Sequence, residues 1–289
     1  MNKRMLTAAV LAALSVPAFA TAQNEAADPN TGALSFTIGA DYTTAYYFRG
    51  ALQDNDNIII QPYVGVTINA FDSDDVKVDV SLATWNSFSG GRQEGGVSWD
   101  NAWFESDLIG KVDVSAFGLK LSTIYTVYFY PSNAFESIQE VGLVLGIDED
   151  KFLGDSLSGW KLNPTIGWYF ELDDGNGEEN QYIEIALTPS YTLDMKDVPY
   201  IGNASISFPI VVGLTMDHYF TDSDGSNSLF GYVSVGPAAS IPLPVPARYG
   251  AWNLNASLAY LYLGADSLEA ANNDSEHAYV GKLGVSIAY

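Results

Sequence analysis

The feature that most constrains this chain is a two-residue alternation of apolar and polar side chains, renewed about twelve times along the sequence and interrupted by clusters of Gly, Asp, Asn, Ser and Pro. It is clearest from Trp160 to Leu172. There Trp160, Leu162, Pro164, Ile166, Trp168, Phe170 and Leu172 share one parity, and Lys161, Asn163, Thr165, Gly167, Tyr169 and Glu171 share the other. A period of two places the two sets on opposite faces of an extended strand. The same pattern predicts strands at about 33–48, 58–71, 76–88, 99–112, 118–130, 138–147, 181–193, 203–218, 229–241, 251–263 and 278–289. Most are long enough for a tilted membrane strand, which needs about 9–11 residues.

The apolar faces decide what surrounds such strands. They read Leu34, Phe36, Ile38, then Val64, Val66, Ile68, then Val76, Val78, Val80, Leu82, then Leu119, Leu121, Tyr125, Val127, Phe129, and continue in kind to Leu283, Val285, Ile287 and Tyr289. None carries a charge, as a lipid-facing row requires, because Arg or Lys at mid-bilayer costs about 2–4 kcal/mol. A soluble sandwich would alternate in the same way, so loop parity is needed to choose. With both ends on the periplasmic side, the odd connections point outward and include the long acidic stretches 89–98, 173–180, 221–228 and 264–276. Even connections such as 72–75 and 113–117 are short, as periplasmic turns are; 148–159 is the exception. The expectation is an all-β, antiparallel up-and-down transmembrane barrel of about twelve strands over 33–289, in the outer membrane of a Gram-negative bacterium.

The N-terminal segment supports export. Lys3 and Arg4, an apolar run from Met5 to about Val16, and Ala18-Phe19-Ala20 read as a signal peptide over 1–20, cut after residue 20 or 22, with 21–32 a polar lead-in. Beyond it no apolar run approaches the ~18–20 residues of a membrane helix. Cysteine is absent, so sheet closure and packing must stabilise the fold without disulfides. A formal charge of −23 argues against nucleic-acid binding, which depends on clustered Lys and Arg. Lys282, Gly284, Ile287 and Tyr289 match the polar-x-Gly-x-x-apolar-x-aromatic ending that resembles the assembly signal of outer-membrane barrels. The expected partners are therefore outer-membrane lipids and lipopolysaccharide, the barrel-assembly machinery and small hydrophilic solutes.

Five prolines oppose the reading. Pro62, Pro164, Pro189, Pro209 and Pro237 fall inside predicted strands, where each forfeits a ladder hydrogen bond, and a closed barrel has no free edge. Aromatics make up 13% of the chain, and the groups Tyr46, Tyr47, Phe48 and Tyr125, Tyr128, Phe129, Tyr130 are expected at the headgroup boundary.

Thr-Ala-Tyr-Tyr-Phe-Arg-Gly-Ala-Leu-Gln, residues 44–53, resembles the Ser-Asp-Tyr-x-Phe-Arg-Gly-x-x-Gln opening of the TorF-type porins. Tyr46, Phe48, Arg49, Gly50 and Gln53 match, while Thr44 and Ala45 replace the family's Ser and Asp. The resemblance implies an outer-membrane channel and brings no catalytic residue with it.

Extended through the first strand, the alternation turns Arg49 inward near the outer rim, on the side of Asp41. The expected pore lining is Asp41, Arg49, Lys77, Asp79, Glu105, Asp107, Lys120, Glu140, Lys161, Glu171, Glu184, Asp217 and Lys282. Acidic groups predominate, so a conducting pore should prefer cations mildly; a salt-bridge network filling the lumen is the alternative. A bore of about twelve strands is narrow and suits passive diffusion of ions or small hydrophilic solutes, or else a plugged structural or adhesive barrel. Asp173, Asp174, Glu178, Glu179 and the run 222–227 have carboxylates for a divalent ion, although Asp-Gly turns explain the second run without one. No metal or cofactor is expected. For a hydrolase, only His218 and His277 offer imidazole bases, and adjacent strand residues such as Asp217 and His218 should face apart.

Overall fold

In the computed structural model the described residues are 33–55, 58–93, 96–98, 102–132, 135–173, 180–195 and 203–289. The signal peptide, the lead-in and Asp174–Glu179 lie outside them. Twelve wall strands form one closed antiparallel sheet. The first six are Leu34–Thr43, Ile58–Asp72, Val76–Gln93, Trp103–Ala116, Leu119–Phe129 and Ile138–Ile147. The next four are each interrupted: Trp160–Lys161 with Thr165–Asp173, Gln181–Leu187 with Ser190–Leu193, Ala204–Ser207 with Ile210–Asp217, and Phe230–Val235 with Ala238–Pro242. Ala251–Leu263 and His277–Ala288 complete the wall. Each strand pairs with its neighbours in sequence, and the last closes on the first from Thr37↔Ala288 to Thr43↔Lys282. Closure removes every sheet edge, which lipid demands because it offers no partner to a free N–H or C=O.

Side-chain parity follows the alternation. Ile38, Leu82, Leu121, Leu145, Ile166, Ile185, Leu258 and Leu283 lie exposed on the outside of the wall, a continuous apolar band around the barrel. Buried Gln61, Ser87, Glu105, Glu140 and Asn255 lie on the inside. The apolar side chains therefore face hydrocarbon, and the barrel belongs to the outer membrane.

The interrupted strands resolve the proline problem. Pro164, Pro189, Pro209 and Pro237 each occupy a break, and the breaks adjoin across four successive strands to form an oblique seam. Along it Phe208 N–H donates to the Pro189 carbonyl at 2.8 Å, Gly236 N–H to Pro209 at 3.3 Å, and Leu258 N–H to Pro237 at 3.0 Å. Each proline returns nothing, because it has no N–H. The ladder thus keeps one bond of each exchanged pair instead of losing both. Pro62 stays within an unbroken strand, where pairing with the third strand passes from Ile60↔Phe88 to Tyr63↔Trp85.

The seam also explains the long even connection 148–159. The sixth strand ends at Ile147, so the backbone N–H groups of Leu162 and Asn163 have no ladder partner on that side. Glu149, buried in the connection, accepts both on Oε1 at 2.5 and 3.2 Å. The Asn163 side-chain amide donates to the Thr188 carbonyl at 2.9 Å, where a regular strand would use backbone.

Three expectations need correction. The first strand ends at Thr43, and Tyr46–Phe48 with Ala51–Asp54 forms a separate hairpin. The fourth strand runs to Ala116, so Asp113 belongs to the wall and the turn is Phe117-Gly118, both with positive φ. Finally, Tyr46, Phe48, Tyr128 and Tyr130 are buried inside and do not sit at the headgroup boundary, whereas Tyr125 and Phe129 do face out.

Gly236 is the tightest point of the seam: a Cβ there would fall 1.8 Å from the Leu258 carbonyl oxygen, which is backbone and cannot rotate away. Gly236→Ala is expected to destabilise the barrel by about 3 kcal/mol, the upper range for overpacking. The check is the temperature at which the folded, fast-migrating form is lost on SDS electrophoresis.

Candidate functional site: a hairpin folded into the lumen

Between the first and second strands the chain leaves the wall and folds back into the barrel. The turn at its tip is Phe48-Arg49-Gly50-Ala51, with φ of 44° at Arg49 and 85° at Gly50. Two positive φ values in a two-residue loop define the primed turn that matches strand twist, and Gly50 enters that region without strain. The Tyr-Tyr-Phe-Arg-Gly motif is therefore a hairpin, and its alternation only imitates a continuing strand.

Aromatic and apolar groups hold this hairpin on two sides. Tyr46 and Phe48 pack with Ile59, Trp85, Tyr128, Tyr130 and Ile138. Ala45 and Ala51 join Tyr169, Tyr182, Phe220, Tyr232, Leu261, Leu263 and Leu268, the last from the short outer helix Asp266–Ala271. Glycines seat the rings against the wall. Tyr169 lies over Gly142 and Gly167, where a Cβ would approach its ring to 2.7 Å in either case.

Arg49 ends in the middle of this packing, 5% exposed. Nη1 and Nη2 donate to the two Glu140 carboxylate oxygens at 2.8 and 3.0 Å, a bidentate pair, and Nη1 donates to the Tyr219 hydroxyl at 3.1 Å. The guanidinium carbon lies 4.1 Å from the ring centre of Tyr182, 4.8 Å from those of Phe48 and Tyr169, and 5.4 Å from that of Tyr219. Cation–π contact strengthens when water is excluded, and the charge-assisted pair fixes orientation as well. Around it, Tyr46 donates to Glu105 at 2.8 Å, Tyr128 to Glu140 at 3.3 Å, and Tyr182 to Glu184 at 3.0 Å. Asp107 is buried beside Glu105 on the same strand.

Arg49, Glu105, Glu140, Glu171 and Glu184 thus gather in the outer half of the lumen, with Glu171 accepting from the Asn180 amide at 2.9 Å. Asp107 lies with them, and the other expected lining residues lie elsewhere. Lys77 pairs with Asp79 at 3.0 Å, and Lys120 with Asp113 at 3.2 Å. Asp41 stands opposite Gly284 on the last strand, diagonal to Lys282, which stands opposite Thr43, and the close approach of Asp41 depends on Gly284 having no side chain. Lys161 reaches out of the lumen to Asp150 in the 148–159 connection. Asp217 ends its strand, and the bend at His218 (φ 27°) brings the two side chains to 3.4 Å, against the expectation that they face apart.

Sequence reasoning missed Lys111, which pairs with Asp113 at 2.9 Å, and the lumenal tyrosines. Parity held the needed signal: Tyr128, Tyr169 and Tyr182 stand on the polar side of their strands. Below the hairpin the inward positions carry small polar groups such as Thr67, Ser81, Ser122, Ser205, Ser240 and Asn255, joined by contacts including Thr67–Ser81 at 2.8 Å and Ser240–Asn255 at 2.8 Å. The lumen is thus divided between polar groups on one side and an aromatic plug at the hairpin's end.

The 222–227 run closes on itself. Gly225 N–H donates to the Asp222 carbonyl at 2.9 Å and Ser226 N–H to the Asp224 carboxylate at 2.9 Å; the Ser226 hydroxyl first, and this backbone N–H with it, hold that carboxyl below the usual range. His277 meets the Tyr260 hydroxyl at 2.9 Å, and Ser275 donates to the His277 backbone carbonyl at 3.0 Å.

No family model and no curated protein sequence matches the chain. Among solved structures, an outer-membrane channel from Pseudomonas putida F1 aligns with 90% of this chain and 96% of its own at 10% identity, TM-score 0.48. LpxR from Salmonella typhimurium aligns with 88% and 99% at 10% identity, TM-score 0.44. The NanC porin aligns with 87% and 98% at 9% identity, TM-score 0.39. At these scores the likenesses carry no inference about activity.

Removing one partner of a buried ion pair strands the other charge, which costs about 3–5 kcal/mol. Glu140→Ala is therefore expected to release the hairpin by roughly that amount. Mass spectrometry of brief trypsin digests checks it: cleavage after Arg49, protected in the parent barrel, should become a major product.

Proposed function

We propose that the chain is a porin-like outer-membrane channel for passive diffusion of ions or small hydrophilic solutes, with mild cation preference, and that the structure is its closed form. The observation that carries this reading is the division of the lumen. Its periplasmic side is lined by polar and charged groups that need water, and its outer side is closed by a nine-residue hairpin, 46–54, joined covalently to the wall only at its two ends. Inward Lys77, Lys111 and Lys120, each paired with a carboxylate, add to the hydrophilic character of that side. The resemblance of residues 44–53 to the TorF-type porins agrees. The excess of inward carboxylates, with Asp107 and Asp113 among them, supports the cation preference.

A second reading, a permanently plugged structural or adhesive barrel, is favoured by the depth of the plug's packing, including Leu268 of the outer helix against the hairpin. A hydrolase is the weakest reading: Asp217 and His218 meet at the outer rim, both about half exposed, and the neighbouring hydroxyl Thr215 is turned to backbone groups. Outer-membrane lipids and lipopolysaccharide as neighbours, and recognition of Lys282, Gly284, Ile287 and Tyr289 by assembly machinery, belong to the same proposal.

Planar-bilayer recording separates the readings. The channel reading expects small, intermittent conductance from the parent protein, a several-fold larger and steadier conductance on deleting 46–54, and reversal potentials in a KCl gradient that favour K⁺. A deletion variant that folds and stays silent would leave the plugged barrel.

A further inference from the structure

We infer that the cage around Arg49 is a binding site for guanidinium and related organic cations, and that Arg49 is a tethered occupant holding the place of a cationic solute. This deepens the channel reading and rests on it for its biological sense. The walls of the cage belong to the barrel and not to the hairpin. Glu140 comes from the sixth strand, Tyr169 from the seventh, Tyr182 from the eighth, and Tyr219 from just beyond the ninth. Of the groups around the guanidinium, Phe48 alone travels with Arg49.

If the hairpin swings aside, the remaining groups keep supports of their own. Tyr169 is seated on Gly142 and Gly167. Tyr182 is held by hydroxyl contacts to Tyr232 at 2.9 Å and Glu184 at 3.0 Å. What is left is three aromatic rings and a carboxylate pointing at one place, the combination that recognises planar or alkylated cations. The bidentate oxygens of Glu140 match two parallel N–H groups, so a guanidinium fits better than a metal ion or an anion.

The resident is imperfectly held. Arg49 Nε is buried without a hydrogen-bond partner, although its Nη groups are well satisfied. A buried donor left unmet favours exchange for an occupant that can meet it or that lacks it. A purely structural ion pair would show the same bidentate contact, but its pocket should collapse or fill with water once the arginine is removed.

The test uses purified, folded barrel in detergent, with guanidinium chloride in the millimolar range as probe and equal NaCl as control. In Arg49→Ala, guanidinium should raise the heat-unfolding midpoint saturably, and should do nothing beyond NaCl in the Arg49→Ala/Glu140→Gln double variant. In the parent protein the same probe should compete with Arg49. Hydrogen exchange of the 46–54 amides should then accelerate at least threefold while the wall strands stay unchanged. A single variant that responds to guanidinium no more than to NaCl overturns the inference, as does equal stabilisation of the double variant. If Arg49→Ala does not fold, unaltered exchange in the parent protein overturns it. Neither readout requires conduction, so loss of this site and loss of the channel reading are separate results.

Discussion

Every backbone polar group in the wall must find a partner within the protein, because hydrocarbon supplies none. From that single demand follow the closed ladder, the pairing of last strand with first, and the outward parity of the apolar rows. The proline seam shows how far the demand can be bent. Prolines placed at random across the wall would isolate carbonyls and N–H groups on both of their neighbours. Set one after another along an oblique line, Pro189, Pro209 and Pro237 are each approached by an N–H from the next strand, so one bond survives per pair, while beside Pro164 the Thr188 N–H goes to the Leu162 carbonyl. At the start of the line Glu149 and the Asn163 amide act in place of missing backbone groups. A connection too long for a turn is what brings Glu149 there.

The wall was legible in the sequence because parity is a local property and lipid permits no exceptions to it. Leu119, Leu121 and Tyr125 could be placed outside without knowing which strands they touch. The seam was not legible for the opposite reason. Pro189, Pro209 and Pro237 are visible singly, but their alignment is a matter of register between strands. The hairpin was missed because Tyr46, Phe48 and the strand before it keep the same alternation without a break. Arg49-Gly50 was the one turn signal, and arginine is an unusual occupant of a left-handed position. For the aromatics the competing rule prevailed: clustered Tyr and Phe near strand ends suit the membrane boundary. Tyr128, Tyr169 and Tyr182 stood on the polar parity throughout, and that fact outweighs clustering.

The site itself was half visible. Arg49, Glu140 and Glu184 could be turned inward from parity, but which of thirteen inward charges meet depends on how far each strand is staggered and on where the hairpin tip lands. Lys161 and Asp217 show the cost of ignoring the ends of strands, since Lys161 leaves for a connection and Asp217 meets its own neighbour across a bend.

The choice of an ion pair for the hairpin tip calls for a physical reason, because a buried pair is seldom more stable than well-packed apolar groups of the same volume. A hairpin meant only to fill space would be better tipped with Leu or Phe, like the rest of its packing. What Arg49 and Glu140 add is position and reversibility: two parallel hydrogen bonds fix the tip to one wall strand, and a guanidinium that leaves the pocket is readily solvated by water. An apolar tip would gain nothing from that water and would have no preferred place to return to. The arrangement therefore suits a hairpin that moves between two states better than one that never moves.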